Sequence, residues 1–374
     1  MTEFSDFADR ACPAWFEKPQ LGIFVHWGLY SIPAFAPQGH AIHDLMRDDY
    51  DNATVLGPYA EWYGNAMLVA GSPTADHHQQ TYGDMPYSHF RAEFDEASQA
   101  FDADALAQTF ADAGASYVVF VTKHHDGYCL WPTQVENPHC PNWHSQRDFV
   151  GEMAKAVRSK GMRFGVYYSG GLDWTFHHTP ISNMGDMLAC VPPGQDYRDY
   201  AAAQLRELIE LYQPSIIWND IAWPDKADVP DLFADYYEAV PDGVVNDRWL
   251  GETKLFASLR TPEGLARFND RMKASIAASG GNLAMSTPPH CDFRTVEYGL
   301  GTQPEDKKWE ACRGVGLSFG YCESERRDQH LSPEALTAMR TEVAGRGGNL
   351  LINVGPKSDG SIPQLQLLAL LGHA

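Results

Sequence analysis

Short apolar segments rich in β-branched residues alternate with amphipathic segments along most of this 374-residue chain. The short apolar segments predict buried strands, because a strand covered on both faces is apolar at nearly every position. The amphipathic segments between them predict helices that pack one face against the sheet. Six strands are predicted, over residues 21–27, 116–122, 163–169, 215–220, 244–249 and 349–354.

The helices predicted between these strands have recognisable ends. Asp102 and Asp148 each stand immediately before an amphipathic segment, where a carboxylate can cap the first turn. Gly114 and Gly161 follow the last turns of the same two helices, where glycine is favoured. A third helix is predicted over 197–212. Strand, helix and strand in repeated order predict a parallel α/β sheet, closed into a (β/α)8-like, TIM-type barrel, with an open doubly wound sheet as the alternative.

Two stretches interrupt this alternation. Residues 38–94 are polar and aromatic with little periodicity, and residues 250–290 carry one helix-like piece (263–278) before paired glycines and prolines. Each stretch follows a predicted strand, so each is expected to lie over the mouth of the barrel. Residues 1–374 are therefore predicted to form a single barrel domain with mouth insertions near 38–94 and 250–290.

The charge balance narrows the class of partner. The chain has 28 basic and 49 acidic residues, which gives a formal net charge of −21 at pH 7. Nucleic acids and anionic membranes require a basic face, so neither is expected as a partner. A neutral ligand such as a sugar is compatible with this acidity.

Cysteine usage and the first residues bear on the cellular compartment. The seven cysteines are scattered without a C-x-x-C pair, which predicts reduced thiols rather than a disulfide framework. The opening residues M-T-E-F-S-D lack the basic and apolar regions of a signal peptide. No apolar run approaches the ~18 residues of a membrane span. A cytoplasmic location is expected.

Polar side chains gather at the ends of the predicted strands. The strand S-I-I-W-N-D ends in Asp220, and barrel enzymes place their chemistry at the carboxyl ends of the strands. A carboxylate beside the indole of Trp218 suits attack on a sugar carbon flanked by an apolar ring face. Other strand ends carry the polar residues His26, His124, His125, Asp126, Tyr167, Tyr168, Asp247 and Arg248. Together these residues indicate a site for a small polyhydroxylated ring.

A metal site is the competing interpretation, since His26, His124 and His125 are all ligand types. Adjacent residues on a strand point to opposite faces, so His124 and His125 converge on one ion only if the chain bends locally. No H-x-H or H-E-x-x-H pattern is present. Hydrogen bonding to hydroxyl groups is therefore favoured, and neither a metal nor another cofactor is expected.

Several motifs follow one another in an order typical of one enzyme family. They are G-I-F-V-H-W-G-L-Y-S, E-W-Y, Y-V-V-F-V-T-K-H-H-D-G-Y-C-L-W-P, R-F-G-V-Y-Y-S-G-G-L-D-W, I-I-W-N-D-I-A-W-P, V-N-D-R-W, K-W-E-A-C-R-G-V-G-L-S-F-G-Y and G-G-N-L-L-I-N-V-G-P-K-S-D-G, spread over residues 22–360. On these motifs the chain resembles the α-L-fucosidases of glycoside hydrolase family 29. The H-W-G and K-H-H-D-G pieces are highly specific when they occur together.

The resemblance implies a retaining, exo-acting hydrolase that removes terminal α-L-fucosyl residues from glycans by double displacement. Asp220, in W-N-D, would be the nucleophile that forms a covalent fucosyl-enzyme intermediate. Glu297, in D-F-R-T-V-E-Y, would be the acid/base, and retaining enzymes hold the two carboxyl groups ~5–5.5 Å apart. The two residues are 77 positions apart, and the insertion at 250–290 would account for the extra length.

Two other glutamates compete with Glu297 for the acid/base role. Glu310, in K-W-E, is the main rival, and Glu61, in E-W-Y, is a weaker one. The alternative to a catalytic role for Glu310 is a structural one, in which its carboxylate lies on a strand and pairs with Arg313 or Arg248.

The same matching of motifs implies which residues hold the sugar. Residues expected to bind the sugar hydroxyls are His26, Glu61, Trp62, His124 and His125. Tyr168 and Trp218 would line the pocket near the reacting carbon and the C5 methyl. Arg248 would lie near the catalytic carboxylates, where its positive charge favours the ionised form of Asp220.

The chain departs from the family pattern in one respect. Many members carry a β-sandwich after the barrel, and this sequence is expected to lack a C-terminal β-sandwich, which leaves aglycone choice to the two mouth insertions. Two other functions stay open: a catalytically impaired fucose-binding protein, and a metal-dependent hydrolase using His26, His124 and His125. The filled carboxylate positions speak against the first. The expected partners are α-L-fucosides, from small molecules to oligosaccharides.

Overall fold

A computed structural model describes residues 2–279, 288–298 and 307–372 of the chain. Within these ranges eight strands form a single sheet in which every pairing is parallel. Their bounds are β1 Leu21–Val25, β2 Tyr117–Lys123, β3 Arg163–Ser169, β4 Ile216–Asp220, β5 Val244–Val245, β6 Phe293–Glu297, β7 Lys308–Gly314 and β8 Asn349–Val354.

Helices surround the sheet and fill the connections between strands. Their bounds are α1 Ala14–Glu17, α2 Ile42–Asp48, α3 Tyr63–Ala66, α4 Pro73–Tyr82, α5 Phe90–Ala97, α6 Ala103–Asp112, α7 Phe149–Ser159, α8 Met184–Ala189, α9 Gln195–Tyr212, α10 Val229–Ala239, α11 Thr253–Leu259, α12 Pro262–Ser279, α13 Pro333–Gly345 and α14 Gln364–Leu371. None of the helices in the described ranges is both long and apolar enough to cross a bilayer.

The helix ends follow the capping rules. The Asp102 carboxylate accepts the backbone N–H of Ala105 at 3.0 Å, at the start of α6. The Asp148 carboxylate accepts the backbone N–H of Gly151, the third residue of α7, at 2.8 Å. Gly114 and Gly161, just beyond the two helices, adopt φ values of +75° and +77°, which glycine reaches without steric cost.

The sheet is nearly closed into a barrel. Its strand order is β5-β4-β3-β2-β1-β8-β7-β6, so β5 and β6 are the two outer strands. These strands meet through Asp292, which directly precedes β6. Its backbone N–H donates to the Val245 carbonyl at 2.9 Å, and its carboxylate accepts the Val245 N–H at 2.8 Å. The predicted (β/α)8 barrel is confirmed, and the open sheet is excluded.

Alternate residues of each strand face opposite layers of the barrel. Phe24, Tyr167 and Trp218 belong to a cluster inside the barrel. Ile23 and Val25 instead belong to the layer between the strands and the helices. This alternation decides which side chains can reach the mouth of the barrel.

Two strands were not predicted from the sequence. Of the five residues of β6 only Phe293 is buried, and β7 carries Lys308, Glu310 and Arg313 among its seven residues. Neither strand therefore shows the continuous apolar pattern of a buried parallel strand. Conversely, the strand predicted over 244–249 is only two residues long.

Both interruptions of the alternation follow the carboxyl ends of strands. Residues 38–94, after β1, contain the helices α2 to α5 rather than one irregular loop. Residues 250–290, after β5, contain α11 and α12, and α12 spans nearly the predicted 263–278. The two insertions share one apolar cluster, which includes Leu45 and Phe256 and is continuous with α8. Residues 280–287 of the second insertion lie outside the described ranges.

Candidate active site

Asp220 is the last residue of β4, at the carboxyl edge of the barrel. The Tyr167 hydroxyl donates to its Oδ2 at 2.8 Å, and the backbone N–H of Ile221 donates to its Oδ1 at 2.8 Å. The Asp220 side chain is 16% exposed. The carboxylate is therefore fixed by two donors and still open to a ligand.

Asp220 and Glu297 are each followed by a residue in the left-handed region. Ile221 has φ +65° and Tyr298 has φ +52°. For a β-branched residue this conformation is a genuine outlier, with a cost of about 1 kcal/mol or more. The strained turn carries the Ile221 N–H that donates to Asp220.

Glu297 ends β6 and forms an ion pair with Arg248. The distance from Arg248 Nη2 to Glu297 Oε2 is 2.9 Å, and the Tyr59 hydroxyl lies 3.4 Å from Oε1. The Glu297 side chain is 32% exposed, whereas that of Arg248 is 13% exposed. The Glu297 side chain is therefore more exposed than that of Asp220. Arg248, which pairs with Glu297, also acts electrostatically on Asp220.

The pKa of Asp220 is raised above its ordinary value, chiefly because burial disfavours the charged form. The Arg248 guanidinium opposes this effect, and the Glu297 carboxylate adds to it. The hydrogen bonds from Tyr167 and Ile221 also favour the charged form and so lower the pKa. The arginine and the two donors therefore offset part of the cost of burying an ionised Asp220.

Glu310 lies inside the barrel, fully buried on β7. Its Oε2 accepts the Tyr117 hydroxyl at 2.5 Å, and its Oε1 accepts the Trp218 indole N–H at 3.1 Å. The structural alternative, in which Glu310 pairs with Arg313 or Arg248, is therefore wrong in its partners. Burial raises the pKa of Glu310 to about 7.

Glu61 and Trp62 reach the site from the insertion that follows β1. Glu61 is 2% exposed, and its Oε2 accepts the Gly320 N–H at 2.7 Å and the Ser318 hydroxyl at 3.3 Å. Burial raises its pKa to about 8, so the carboxyl is largely protonated at neutral pH. The Trp62 indole packs edge-on against His125, with ring centroids 5.0 Å apart.

His26, His124 and His125 form one group of rings. The ring centroid of His124 lies 5.7 Å from that of His26 and 4.0 Å from that of His125. His26 Nδ1 contacts the Asn353 Oδ1 at 2.6 Å, and His125 Nδ1 contacts the Ser169 hydroxyl at 2.7 Å. Burial lowers the pKa of all three histidines, that of His26 to about 3, so they are neutral at neutral pH.

The neighbouring His124 and His125 share a site because the strand ends before them. The pairing of β2 with β3 shifts register between Val121 and Lys123, and β2 stops at Lys123. His125 Nε2 lies 3.8 Å from the Asp220 carboxylate, and His124 Nδ1 is buried without a hydrogen-bond partner among the described residues. The described ranges contain no group of three or more His, Cys, Asp or Glu residues placed to hold a metal ion.

The prediction that Tyr168 lines the pocket needs correction. Its hydroxyl donates to Gln204 on α9 at 3.0 Å, in the layer between the strands and the helices. Tyr167, one residue earlier, points into the barrel and donates to Asp220. The motif contains two adjacent tyrosines, and the alternation of side chains along β3 selects the first.

Trp218 lies inside the barrel and contacts two residues of the site, Tyr167 and Arg248. Its ring stacks on Tyr167, with a centroid distance of 5.9 Å and an interplanar angle of 20°. The Arg248 guanidinium carbon lies 5.7 Å from the centroid of the same indole. The structure therefore brings Asp220, Glu297 and Arg248 together over Trp218.

The sequence interpretation missed two residues that orient this cluster. Tyr59 reaches Glu297, and Asn353, on β8, fixes the ring of His26. Asn353 could have been noticed as an amide within the apolar strand L-L-I-N-V. Tyr59 stands in an aperiodic stretch that contains no such signal.

A family model described as Alpha-L-fucosidase matches residues 2–373. Among curated relatives, the alpha-L-fucosidase of Dictyostelium discoideum is 28% identical over 370 residues, with 95% of this chain and 67% of that protein covered. The tissue alpha-L-fucosidase of Bos taurus is 29% identical over 373 residues, with 94% and 64% covered. The chain therefore spans about two thirds of the length of these relatives.

Solved structures from Thermotoga maritima are more similar. The alpha-fucosidase in complex with fucose is 39% identical with a TM-score of 0.79, and the match covers 99% of this chain and 74% of that one. An alpha-L-fucosynthase in complex with alpha-L-Fuc-(1-2)-beta-L-Fuc-N3 is 40% identical with a TM-score of 0.81, covering 99% and 75%. The similarity in fold extends over nearly the whole chain.

Proposed function

Because the chain belongs to the α-L-fucosidase family, we propose that it hydrolyses terminal α-L-fucosides with retention of configuration. The observation that carries this proposal is the cluster at the mouth of the barrel. There Arg248 contacts the Glu297 carboxylate and acts electrostatically on Asp220, and the neutral His125 lies 3.8 Å from the Asp220 carboxylate. A retaining double displacement requires two carboxyl groups close to each other, and Asp220 and Glu297 both lie beside this arginine.

In the first step an oxygen of the Asp220 carboxylate attacks the anomeric carbon of the fucosyl group. The bond between that carbon and the aglycone oxygen breaks, and its electron pair leaves with the oxygen. Glu297 donates a proton to this oxygen, so the aglycone departs as a neutral alcohol. The product at this stage is an ester between the sugar and Asp220.

In the second step water replaces the Asp220 carboxylate at the anomeric carbon. Glu297, now ionised, removes a proton from the water as its oxygen attacks, and Asp220 leaves as a carboxylate. Two inversions at one carbon give net retention, and the enzyme returns to its starting protonation state.

The assignment of the two roles follows from the surroundings of each carboxyl group. The nucleophile must be ionised and held still, and Asp220 has two fixed donors and the Arg248 charge to support this. The acid/base must meet both the leaving group and water, which suits the more exposed Glu297. Glu310 has both oxygens engaged inside the barrel, which suits neither role.

The surrounding side chains suit a sugar with several hydroxyl groups. Neutral imidazoles both donate and accept, and within the described part of the chain the buried His124 Nδ1 has no hydrogen-bond partner. The protonated carboxyl of Glu61 can also donate as well as accept. The indoles of Trp62 and Trp218 offer apolar faces to the ring and its methyl group.

The test of the nucleophile uses an aryl α-L-fucoside and the Asp220→Gly variant. Turnover is expected to fall by at least about a thousandfold, as for removal of other catalytic nucleophiles. Azide should restore part of it, with β-L-fucosyl azide as the product. The matched control is Asp225→Gly, because Asp225 follows on the same loop but pairs with Arg198 at 3.1 Å.

Nuclear magnetic resonance of the first product tests the stereochemistry. The wild-type protein should release α-L-fucose before mutarotation produces the β anomer. Early release of β-L-fucose would contradict retention, and a near wild-type rate for Asp220→Gly would contradict the nucleophile assignment.

The acid/base is tested by comparing substrates with good and poor leaving groups. Glu297→Ala should lose far more rate on an alkyl fucoside than on a nitrophenyl fucoside, because a nitrophenolate leaves without protonation. Azide should accelerate the second step in this variant and yield α-L-fucosyl azide. Equal losses on both substrates would exclude Glu297 from proton transfer.

A further inference from the structure

Glu310 is a buried carboxyl group for which the proposed reaction has no use. It is in register with Thr295 on β6, two residues before Glu297, and with Asn349, the first residue of β8. It therefore lies one layer deeper in the barrel than the carboxyl groups at the mouth. A carboxyl buried this deeply is costly unless its partners satisfy it.

The two partners of Glu310 use both of its oxygens. Tyr117 donates to one oxygen at 2.5 Å and the Trp218 indole N–H donates to the other at 3.1 Å. Indole nitrogen is a donor only, so Trp218 needs an acceptor at this position. The carboxyl group thus fixes the rotation of the indole within the barrel.

The same indole contacts one residue on each side of the reaction. On one side it stacks on Tyr167, whose hydroxyl donates to Asp220. On the other side it lies under Arg248, which holds Glu297 at 2.9 Å. A rotation of this one ring would disturb the support of both carboxyl groups.

We propose that Glu310 is a positioning residue: by anchoring the Trp218 indole, it sets the placement of Tyr167 and Arg248 and hence of both reacting carboxyl groups. This inference rests on the proposed function and extends it to a residue that touches no substrate. This positioning role requires an acceptor atom at the right distance from the Trp218 indole N–H. It requires neither a charge nor a transferable proton.

That requirement separates the proposal from the rival acid/base role through two conservative variants. Glu310→Gln keeps the length of the side chain and a carbonyl oxygen for the Trp218 N–H, but it cannot transfer a proton. Glu310→Asp keeps the acid, but it withdraws the carboxyl group by one methylene. Positioning and proton transfer therefore predict opposite orders for the two variants.

The measurement is kcat and KM on an aryl α-L-fucoside for both variants. We expect Glu310→Gln to stay within about fivefold of wild type, and Glu310→Asp to lose about tenfold to a hundredfold, the scale of leaving a buried donor without its hydrogen bond. The loss should appear in kcat more than in KM. The reverse order, with azide rescue of Glu310→Gln, would make Glu310 the acid/base and overturn the proposal.

A double-mutant cycle tests whether the effect passes through the indole. In a Trp218→Phe background no N–H remains to be anchored, so Glu310→Asp should cause little further loss. Full additivity of the two losses would show that Glu310 acts by another route and would also overturn the proposal.

Near-ultraviolet circular dichroism gives a readout that does not depend on hydrolysis. Glu310→Gln should keep the wild-type tryptophan signal, and Glu310→Asp should lose part of it at unchanged helix content. If wild-type protein failed to cleave any α-L-fucoside, the proposed function would fall while this spectrum still decided whether Glu310 anchors Trp218. Identical spectra for all three proteins would refute the anchoring.

Discussion

The buried carboxyl group of Glu61 makes the stability of the protein depend on pH in a specific direction. Burial raises its pKa from the ordinary value of 4.5 to about 8 in the folded protein. Between these two values the folded chain keeps a proton that the unfolded chain releases. The contribution of this group to stability is therefore fully present below about pH 4.5 and is lost as the pH rises through about 8.

The size of this effect follows from the difference of about 3.5 pH units between the two states. At ~1.4 kcal/mol per unit, the group removes at most about 5 kcal/mol of stability between acidic and basic pH. The Glu61→Gln variant has no proton to lose. Its amide oxygen can still accept from Gly320 and Ser318, so its stability relative to wild type should rise as the pH rises.

Thermal unfolding at one scan rate, at pH 5, 6.5 and 8, measures this difference. The melting temperature of Glu61→Gln minus that of wild type should increase steadily across the series. Glu263→Gln is the control, because Glu263 is an exposed glutamate on α12 and should show no such trend. A constant difference between Glu61→Gln and wild type from pH 5 to pH 8 would refute the idea that Glu61 is buried as a neutral acid.

Three further predictions follow from the site and the helix caps. Tyr167→Phe removes a hydrogen bond that lowers the Asp220 pKa, so the acidic limb of the kcat/KM profile should move to higher pH, whereas Tyr168→Phe should leave it in place. Arg248→Met should move the same limb in the same direction and lower kcat/KM by about a hundredfold or more, since it removes the positive charge that favours the ionised, largely buried Asp220. An unchanged limb would contradict the electrostatic role. Asp102→Ala should lower the free energy of unfolding in urea by about 1 kcal/mol with no change in kcat. An unchanged urea midpoint would show that the cap does not stabilise the fold.

The sequence predicts much of this fold because its pattern is clear where burial is complete. The strands at Arg163–Ser169 and Asn349–Val354 lie at the predicted bounds, and both are buried almost throughout. The strand β7 was missed because Glu310 and its charged neighbours interrupt the apolar pattern. Those charges are satisfied by residues far away in sequence, such as Tyr117, so no local pattern reveals them.

The site was harder to predict because its geometry depends on details of the backbone. The end of β2 lets His124 and His125 share one site, which regular alternation would forbid. The choice between Tyr167 and Tyr168 depends on the register of β3, which the motif does not state. The ion pair of Arg248 and Glu297 joins residues 49 positions apart across the α11–α12 insertion, and only the closed barrel brings them together.

Trapping of the covalent intermediate tests the central claim most directly. A 2-deoxy-2-fluoro-α-L-fucosyl donor with a good leaving group should inactivate the protein, because the fluorine slows hydrolysis of the sugar ester. Peptide mass spectrometry after digestion should then find one fluorofucosyl group on the carboxylate of Asp220. A stable adduct on another residue would contradict a double displacement through Asp220, and so would steady turnover of the donor without any adduct.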